Sequence, residues 1–207
     1  MNDHLNWRYA TKKFDPLKKI PKQEFSEILE VPRFSPSSYG LQPWKFIVVQ
    51  DETLRKELRK HAWDQSQVTD ASHLIVFCAL KTMDENYIKN FVKRIALVRG
   101  ASMESLAGYE QMMIGSFKGK KSEETSNWMK RQVYLALGMF LAECAQRKID
   151  ACPMEGFDPK KFDEVLGLEK QGLESVVLCL IGYRAKDDRY ADLKKVRFKK
   201  NEIFIER

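Results

Sequence analysis

The segment from Ser35 to Gln50, "SPSSYGLQPWKFIVVQ", places three serine hydroxyls shortly before an apolar run. The run from Trp44 to Val49 is aromatic and β-branched and is bounded by turn residues, which predicts a buried strand. Hydroxyls and free backbone N–H groups at the lip of such a strand can bind the polar edge of a ligand. They can also cap a helix that begins at Pro36, and the spacing alone favours the cap, because Ser-Pro is common at a helix start.

Familiar catalytic signatures are missing from the sequence. No G-x-G-x-x-G follows a strand, and "GSFKGKK" at residues 115–121 lacks the G-K-[ST] of a P-loop. There is no nucleophile elbow, no H-E-x-x-H pair and no kinase signature. The histidines and cysteines form no metal-binding pattern, so we expect no metal site. If the chain is an enzyme, a cofactor supplies its reactive group.

Length and composition predict one domain spanning residues 1–207. The chain is 43% hydrophobic, and no Pro/Gly/Ser-rich linker divides it. Four widely spaced cysteines without a C-x-x-C pair suit reduced thiols in a cytoplasmic protein. The longest uncharged apolar run, around residues 133–142, is about half of a membrane span, and the N-terminus has no apolar leader. We therefore expect a soluble, unprocessed protein with no membrane partner.

The basic charge is concentrated near the two ends of the chain. The net charge is +7, and much of the excess lies in "RYATKK" at residues 8–13 and "KKVRFKK" at residues 194–200. A basic surface attracts the phosphate of a nucleotide, a nucleic acid or a membrane. Nucleic-acid binders tend to carry a basic stripe with interleaved aromatic residues, so we expect no nucleic-acid partner. Each run can also be an ordinary solvated surface.

Apolar residues recur at helical spacing in several segments, and these helices must position the groups above. We predict helices over residues 23–31, 53–62, 84–99 and 122–147. A further short helix is expected with Asp158 as its N-cap, Pro159 at its first position and Gly167 after its end. The helix over 122–147 is apolar nearly all round its middle, so we expect a second subunit to cover its outer face.

Three apolar runs predict buried strands: "WKFIVV" at 44–49, "LIVFCAL" at 74–80 and "SVVLCLIGY" at 175–183. A final run, "EIFIER" at 202–207, alternates enough for a strand. Strands are few and helices many. The pattern therefore predicts the α+β class, with a small sheet wrapped by helices.

Five motifs carry a resemblance to a known family: "RYATKKFD" (8–15), "SPSSYGLQPWKF" (35–46), "DASHLIVFCA" (70–79), "PMEGFD" (153–158) and "KKVR" (194–197). In this order and at about this spacing, they resemble the FMN-dependent nitroreductase family over nearly the whole chain. The sequence is most similar to the oxygen-insensitive NAD(P)H nitroreductase and dihydropteridine reductase branch. The resemblance implies an α+β nitroreductase-like fold, with a small central mixed sheet surrounded by helices and a C-terminal extension exchanged in a homodimer.

The resemblance also assigns residues to an FMN site. It implies that Arg8, Lys195 and Arg197 grip the flavin phosphate, for which guanidinium forks are well suited, and this would explain the uneven charge. Lys12 would lie by the N1/O2 edge and stabilise the anionic reduced ring. The backbone around Glu155 would approach N5, which carries the chemistry, so no side chain is assigned as catalytic. The complete expected cofactor-binding set is Arg8, Tyr9, Ala10, Lys12, Pro36, Ser37, Ser38, Gly40, Gln42, Asp64, Gln67, Pro153, Met154, Glu155, Gly156, Lys195 and Arg197.

In the family, the serine-rich loop of one subunit reaches the flavin held mainly by the other. The resemblance therefore implies active sites at the subunit interface, with the loop from Pro36 to Gln42 serving the partner's flavin. Capping a helix and binding a ligand are compatible roles for this loop. The motif "PMEGFD" can likewise be an ordinary strand-to-helix turn capped by Asp158.

Some positions depart from the family pattern. Ala10 stands where many relatives have a serine, and Gly40 where an asparagine is frequent; each loses a hydrogen bond worth roughly 1 kcal/mol. Asp64 lies where relatives often carry an amide, and Gln67 where some carry a lysine. A carboxylate beside the flavin would oppose the anionic reduced ring. Either Asp64 turns away, or Gln65 supplies the amide after a one-residue shift.

The expected activity is an FMN-dependent oxidation of NADPH or NADH coupled to reduction of a small-molecule acceptor, in a ping-pong cycle. Nitroaromatics and quinones suit this cycle because they are flat, apolar and easily reduced. Two alternatives remain open. Another reaction on the same fold, such as dehalogenation or flavin-consuming chemistry, would need acceptor contacts in residues 84–121. The second alternative is a binding protein, which would be either a flavin carrier without turnover or a basic nucleic-acid module.

Overall fold

A four-stranded sheet in the order β1-β2-β4-β3 forms the centre of the computed structural model, which describes residues 3–207. The first two residues of the expected domain lie outside the described part. Each neighbouring pair of strands is antiparallel. The strands are β1 (Trp44–Val49), β2 (His73–Leu80), β3 (Asp150–Met154) and β4 (Leu173–Gly182).

Helices surround the sheet. Over the described residues they are α1 (Asp3–Trp7), α2 (Lys22–Phe34), α3 (Glu52–Lys60), α4 (Gln67–Asp70), α5 (Glu85–Arg99), α6 (Met103–Phe117), α7 (Ser122–Gln146), α8 (Pro159–Leu166) and α9 (Lys200–Ile203). Two short 3-10 turns lie at Ser38–Gly40 and Glu169–Gln171.

The sheet is covered on both faces, which explains why its strands are continuous apolar runs. Along β2, Ile75 and Phe77 belong to the core on the α7 side, whereas Leu74 and Val76 belong to the core on the α3 and α8 side. This division follows the two-residue period of a strand. The α7 side of the core is filled by Phe140 and its neighbours one and two turns away.

The predicted helix boundaries that rest on local signals are confirmed. Asp84 caps α5 through a hydrogen bond of 2.7 Å from the Tyr87 N–H, and Gly100 ends the helix at a φ of 64°. Asp158 caps α8, and Gly167 follows that helix at a φ of 62°. A positive φ costs glycine little, because it has no Cβ.

Three expectations are corrected by the fold. The mixed sheet is wrong for the four strands; the one parallel pairing among the described residues is the isolated bridge between Ala10 and Ala151. The final run is a helical turn, α9, followed by extended chain, because a strand needs a neighbour and none of the described strands pairs with it. No helix begins at Pro36. Ser35 instead ends α2, and its hydroxyl donates to the Val31 carbonyl at 3.0 Å.

Candidate functional site

A basic cleft of about 380 Å³ lies where the two ends of the chain meet. Its wall includes five cationic side chains and three aromatic ones, and no carboxylate of the described residues lines it. Three of the cations come from the C-terminal tail, residues 190–207, and two come from the N-terminal arm, residues 8–15. The structure thus brings together the residues expected to bind a phosphate. The cations are Arg8, Lys12, Lys194, Lys195 and Arg197.

Among the described residues, no carboxylate forms an ion pair with the cations of this basic cleft. The Nε of Arg8 is buried and lacks a hydrogen-bond partner among the described residues. The Lys195 ammonium donates to the Leu5 carbonyl at 2.5 Å and to the Arg8 carbonyl, at the C-terminal end of α1. Burial and the nearby charges of Arg8 and Arg197 lower the pKa of Lys195. Such a cluster favours binding of an anion that supplies several oxygen acceptors.

The N-terminal arm is held in place by the sheet. Ala10 bridges Ala151 of β3, and the Asp15 N–H donates to the Tyr183 carbonyl at 2.8 Å, just after β4. The buried carboxylate of Asp150 binds Arg184, whose guanidinium lies 4.4 Å from the Trp7 ring centroid. These contacts fix the arm, and with it Tyr9 and Lys12, beside the edge strand β3.

The serine-rich loop, residues 35–42, is built around its own polar groups. The Ser37 hydroxyl accepts from the Gln42 N–H at 2.9 Å, and the Gln42 side-chain amide donates to the Arg33 carbonyl at 2.7 Å. The Ser38 N–H donates to the buried side chain of Gln132 at 2.9 Å. Pro36, Ser38 and Gly40 are exposed, so this surface is available to another molecule.

The motif at residues 153–158 ends β3 and forms a tight turn at residues 155–158 that leads into α8, as its alternative interpretation predicted. The Gln65 amide donates to the Gly156 carbonyl at 2.8 Å and lies 3.3 Å from the Met154 sulfur. A Cβ at Gly156 would come within 2.5 Å of the exposed Trp63 ring, so a larger residue here would require that ring to move. The Tyr134 hydroxyl donates to the Glu155 carboxylate at 2.5 Å.

Asp64 turns away from this turn. Its side chain is 81% exposed and pairs with Arg59 at 2.9 Å. Gln65 supplies the amide that reaches the turn. Which of the two residues lies beside a bound flavin stays a prediction. Gln67 is buried on α4, two residues further along.

The basic cleft and the serine-rich loop lie at opposite edges of the sheet. The loop leads into β1, whereas Ala10 bridges the outer side of β3. Three strand intervals separate those edges, which corresponds to about 14 Å, and the arm lies beyond β3. The two groups of predicted site residues therefore do not meet in one cleft of one chain.

Two features of the site were not found from the sequence. The buried Asp188 binds both chain ends; in the sequence it lies in "KDDR", a charged run that looks like solvated surface. A second cavity of about 600 Å³ lies beside the serine-rich loop, with walls that include Tyr87 and Phe91 of α5. Their four-residue spacing marks one face of the helix, but does not indicate a cavity.

The small antiparallel sheet and its surrounding helices define an α+β protein, and its basic cleft suits an anionic ligand. Comparison with known proteins identifies the family. The model of the Nitroreductase family matches residues 5–183. A Bacillus subtilis protein named as an NAD(P)H nitroreductase, YfkO, is 36% identical over 198 residues, covering 90% of each chain. SERP2086 of Staphylococcus epidermidis, similarly named, is 34% identical over 209 residues, covering 97% of this chain and 94% of its own.

Solved structures share the fold. The nitroreductase ydfN of Bacillus subtilis superposes with a TM-score of 0.88 at 21% identity, covering 99% of this chain and 97% of its own. A nitroreductase of Exiguobacterium sibiricum in complex with FMN gives a TM-score of 0.84 at 22% identity, covering 99% and 96%. The chain belongs to the nitroreductase family, a family of oxidoreductases, and the resemblance carried by the five motifs is confirmed.

Within the described residues, no helix combines the length and the apolar character that crossing a membrane requires.

Proposed function

We propose that this protein is an FMN-dependent NAD(P)H oxidoreductase that reduces nitroaromatic or quinone-type acceptors. The observation that carries the proposal is the basic cleft, where five cations and the unpartnered Arg8 Nε face no carboxylate of the described residues. The relatives named as NAD(P)H nitroreductases and the structural neighbour in complex with FMN support it. We also propose a cytoplasmic location, which the widely spaced cysteines suit.

The residues of the basic cleft fit FMN in their chemistry. Arg8, Lys195 and Arg197 would hold the phosphate, and its oxygens would accept the hydrogen bond for which the Arg8 Nε has no acceptor among the described residues. Lys12 would place a positive charge near the ring and stabilise its reduced form. When bound, FMN supplies a ring that accepts a hydride from NADPH or NADH and passes electrons to the acceptor. No side chain has to act as a general base.

We propose a homodimer with an active site at each end of the interface. The serine-rich loop and the basic cleft lie at opposite sheet edges, so a second copy is needed to bring one of each together. The outer face of α7 exposes Leu135 and Met139, and the C-terminal tail exposes Phe198 and Ile205 at 78% and 80%. Apolar surface of this kind is typical of an interface. The C-terminal extension is the segment that we propose to be exchanged.

One experiment tests the proposed function. The purified protein is examined by absorption spectroscopy, then NADPH or NADH is added without oxygen, and then a quinone. We expect flavin absorbance that the nicotinamide bleaches and the quinone restores, and the released flavin should be FMN. A flavin that resists bleaching would identify a carrier, and no bound flavin after excess FMN would reject the proposal.

Steady-state kinetics test the order of the cycle. The donor and the acceptor would use one cleft in turn, so initial-rate plots at several fixed quinone concentrations should be parallel. Intersecting lines without inhibition would indicate a ternary complex, and therefore a larger site.

A further inference from the structure

The carboxylate of Asp188 is buried and binds both ends of the chain. One oxygen, Oδ2, accepts hydrogen bonds from the Tyr9 hydroxyl at 2.8 Å, the Lys12 N–H at 2.9 Å and the Lys13 N–H at 3.1 Å. The other, Oδ1, accepts from the Tyr190 N–H at 3.1 Å. Asp188 is 4% exposed, so these donors replace water around the carboxylate.

Three of the four partners of Asp188, namely Tyr9, Lys12 and Tyr190, line the basic cleft, while Lys13 and Asp188 itself do not. Tyr9 and Lys12 stand on the N-terminal arm that carries Arg8, and Tyr190 begins the tail that leads to Lys195. The carboxylate lies behind this wall and touches its backbone and the Tyr9 hydroxyl. It is therefore placed to set the separation of the two groups of cations without occupying the space between them.

The charge of Asp188 is maintained by these bonds. Burial acts to raise the pKa of this carboxyl, but hydrogen bonds from Tyr9 and from backbone N–H groups outweigh burial and hold the pKa below its ordinary value. In turn, burial and the bond to Asp188 raise the pKa of the Tyr9 hydroxyl well above its ordinary value. The carboxylate is thus ionised at neutral pH, and charge-assisted hydrogen bonds of this kind are stronger than neutral ones.

We infer that Asp188 is a positioning residue for the flavin phosphate: it joins the N-terminal and C-terminal halves of the basic cleft. The inference rests on the proposed function. It predicts that removing the carboxylate weakens phosphate binding although every cation remains. Because the effect acts through the phosphate, it should distinguish FMN from riboflavin, which has the same ring and no phosphate.

The test measures the dissociation constants of FMN and riboflavin with the flavin-free full-length protein, by fluorescence titration. For Asp188→Ala, we expect the preference for FMN over riboflavin to fall at least about 10-fold, since four hydrogen bonds are lost. Asp163→Ala is the matched control. Asp163 accepts a backbone N–H from Ser175 at 2.8 Å, between α8 and β4, away from the basic cleft. The control should keep the wild-type preference.

Two milder variants keep the test decisive if Asp188→Ala does not fold. Tyr9→Phe removes one of the four bonds, and Asp188→Asn places an amide NH₂ against a donor; each should lower the preference roughly 3-fold to 10-fold. An unchanged preference in folded variants, or equal losses for both flavins, would overturn the inference. If the wild-type protein binds neither flavin, or binds both alike, the proposed FMN site fails instead.

Discussion

The basic cleft and the serine-rich loop satisfy their polar groups in different ways. In the cleft, the buried Nε of Arg8 has no hydrogen-bond partner within residues 3–207, and four further cations line the same wall. In the loop, Ser37 and Gln42 bind backbone groups of the loop and of α2, and the Ser38 N–H binds Gln132. A charged site with an unpaired donor favours binding of an anion, whereas a loop whose polar groups are already paired presents a surface of fixed shape. The first should control cofactor affinity, and the second the geometry of the assembled site.

The largest effect is expected when both regions are damaged in separate chains. Arg8→Ala with Lys195→Ala removes much of the phosphate site, and Ser37→Phe with Ser38→Phe fills the loop surface. Each homodimer should be nearly inactive, because each of its sites contains one damaged half. In mixed dimers, one site collects both lesions and the other is intact, so activity should recover to roughly half of normal.

This complementation is measured with co-expressed chains that carry two different tags. The parent homodimers are the control, and each must be folded and dimeric. If the mixed dimers stay as inactive as the parents, the cleft and the loop serve the flavin of the same chain, and the proposed sharing of sites is wrong.

A single change in the basic cleft should have the next largest effect. Arg197→Ala removes one charged donor, so the dissociation constant of FMN should rise roughly 10-fold to 100-fold. The difference from wild type should narrow as salt is added, because salt screens the charge that Arg197 contributes. Lys186→Ala, an exposed lysine outside the cleft, is the matched control. An FMN affinity that responds equally to both variants would contradict a specific phosphate site.

A change at Gln132, which binds the serine-rich loop, should lower turnover more than it weakens FMN binding. Gln132→Leu leaves the Ser38 N–H without its partner, so turnover should fall roughly 5-fold while the dissociation constant of FMN changes less than about 5-fold. Gln146→Leu, at an exposed position of the same helix, controls for the substitution itself. Were Gln132→Leu to weaken FMN binding as much as Arg197→Ala does, the contrast between an electrostatic cleft and a shape-giving loop would fail.

The smallest effects on turnover are expected at the turn between β3 and α8, which Asp64 and Gln65 flank. Asp64→Asn should change turnover less than about 2-fold, because Asp64 is exposed and points away. Gln65→Ala removes the donor to the Gly156 carbonyl and should lower turnover roughly 3-fold. Both are measured with NADPH and a quinone. If Asp64→Asn lowered turnover more than Gln65→Ala does, Asp64 and not Gln65 would be the residue that acts at the flavin.

Several elements follow from signals that are local in the chain. Asp84 and Gly100 define the ends of α5, because a side-chain cap and a left-handed glycine act within a few residues. The same reasoning holds for α8. Strands β1, β2 and β4 were predicted since each is a continuous apolar run. By contrast, β3, "DACPM", contains an acid and a proline, and α6 carries two glycines, so neither has a clear pattern.

The sequence by itself determined the α+β class, the main buried strands, the capped helices and the family, because these depend on composition, on short-range spacing and on motif order. Only the tertiary structure decided which polar groups meet. In the folded chain, Ser35 ends α2, the Asp64 side chain points outward to Arg59, and the Gln65 amide donates to the Gly156 carbonyl. The tertiary structure also joined Asp188 to Tyr9 across 179 residues of sequence. A charged residue has the same local signature on a solvated surface and behind a binding cleft, and only the packing of distant segments separates the two.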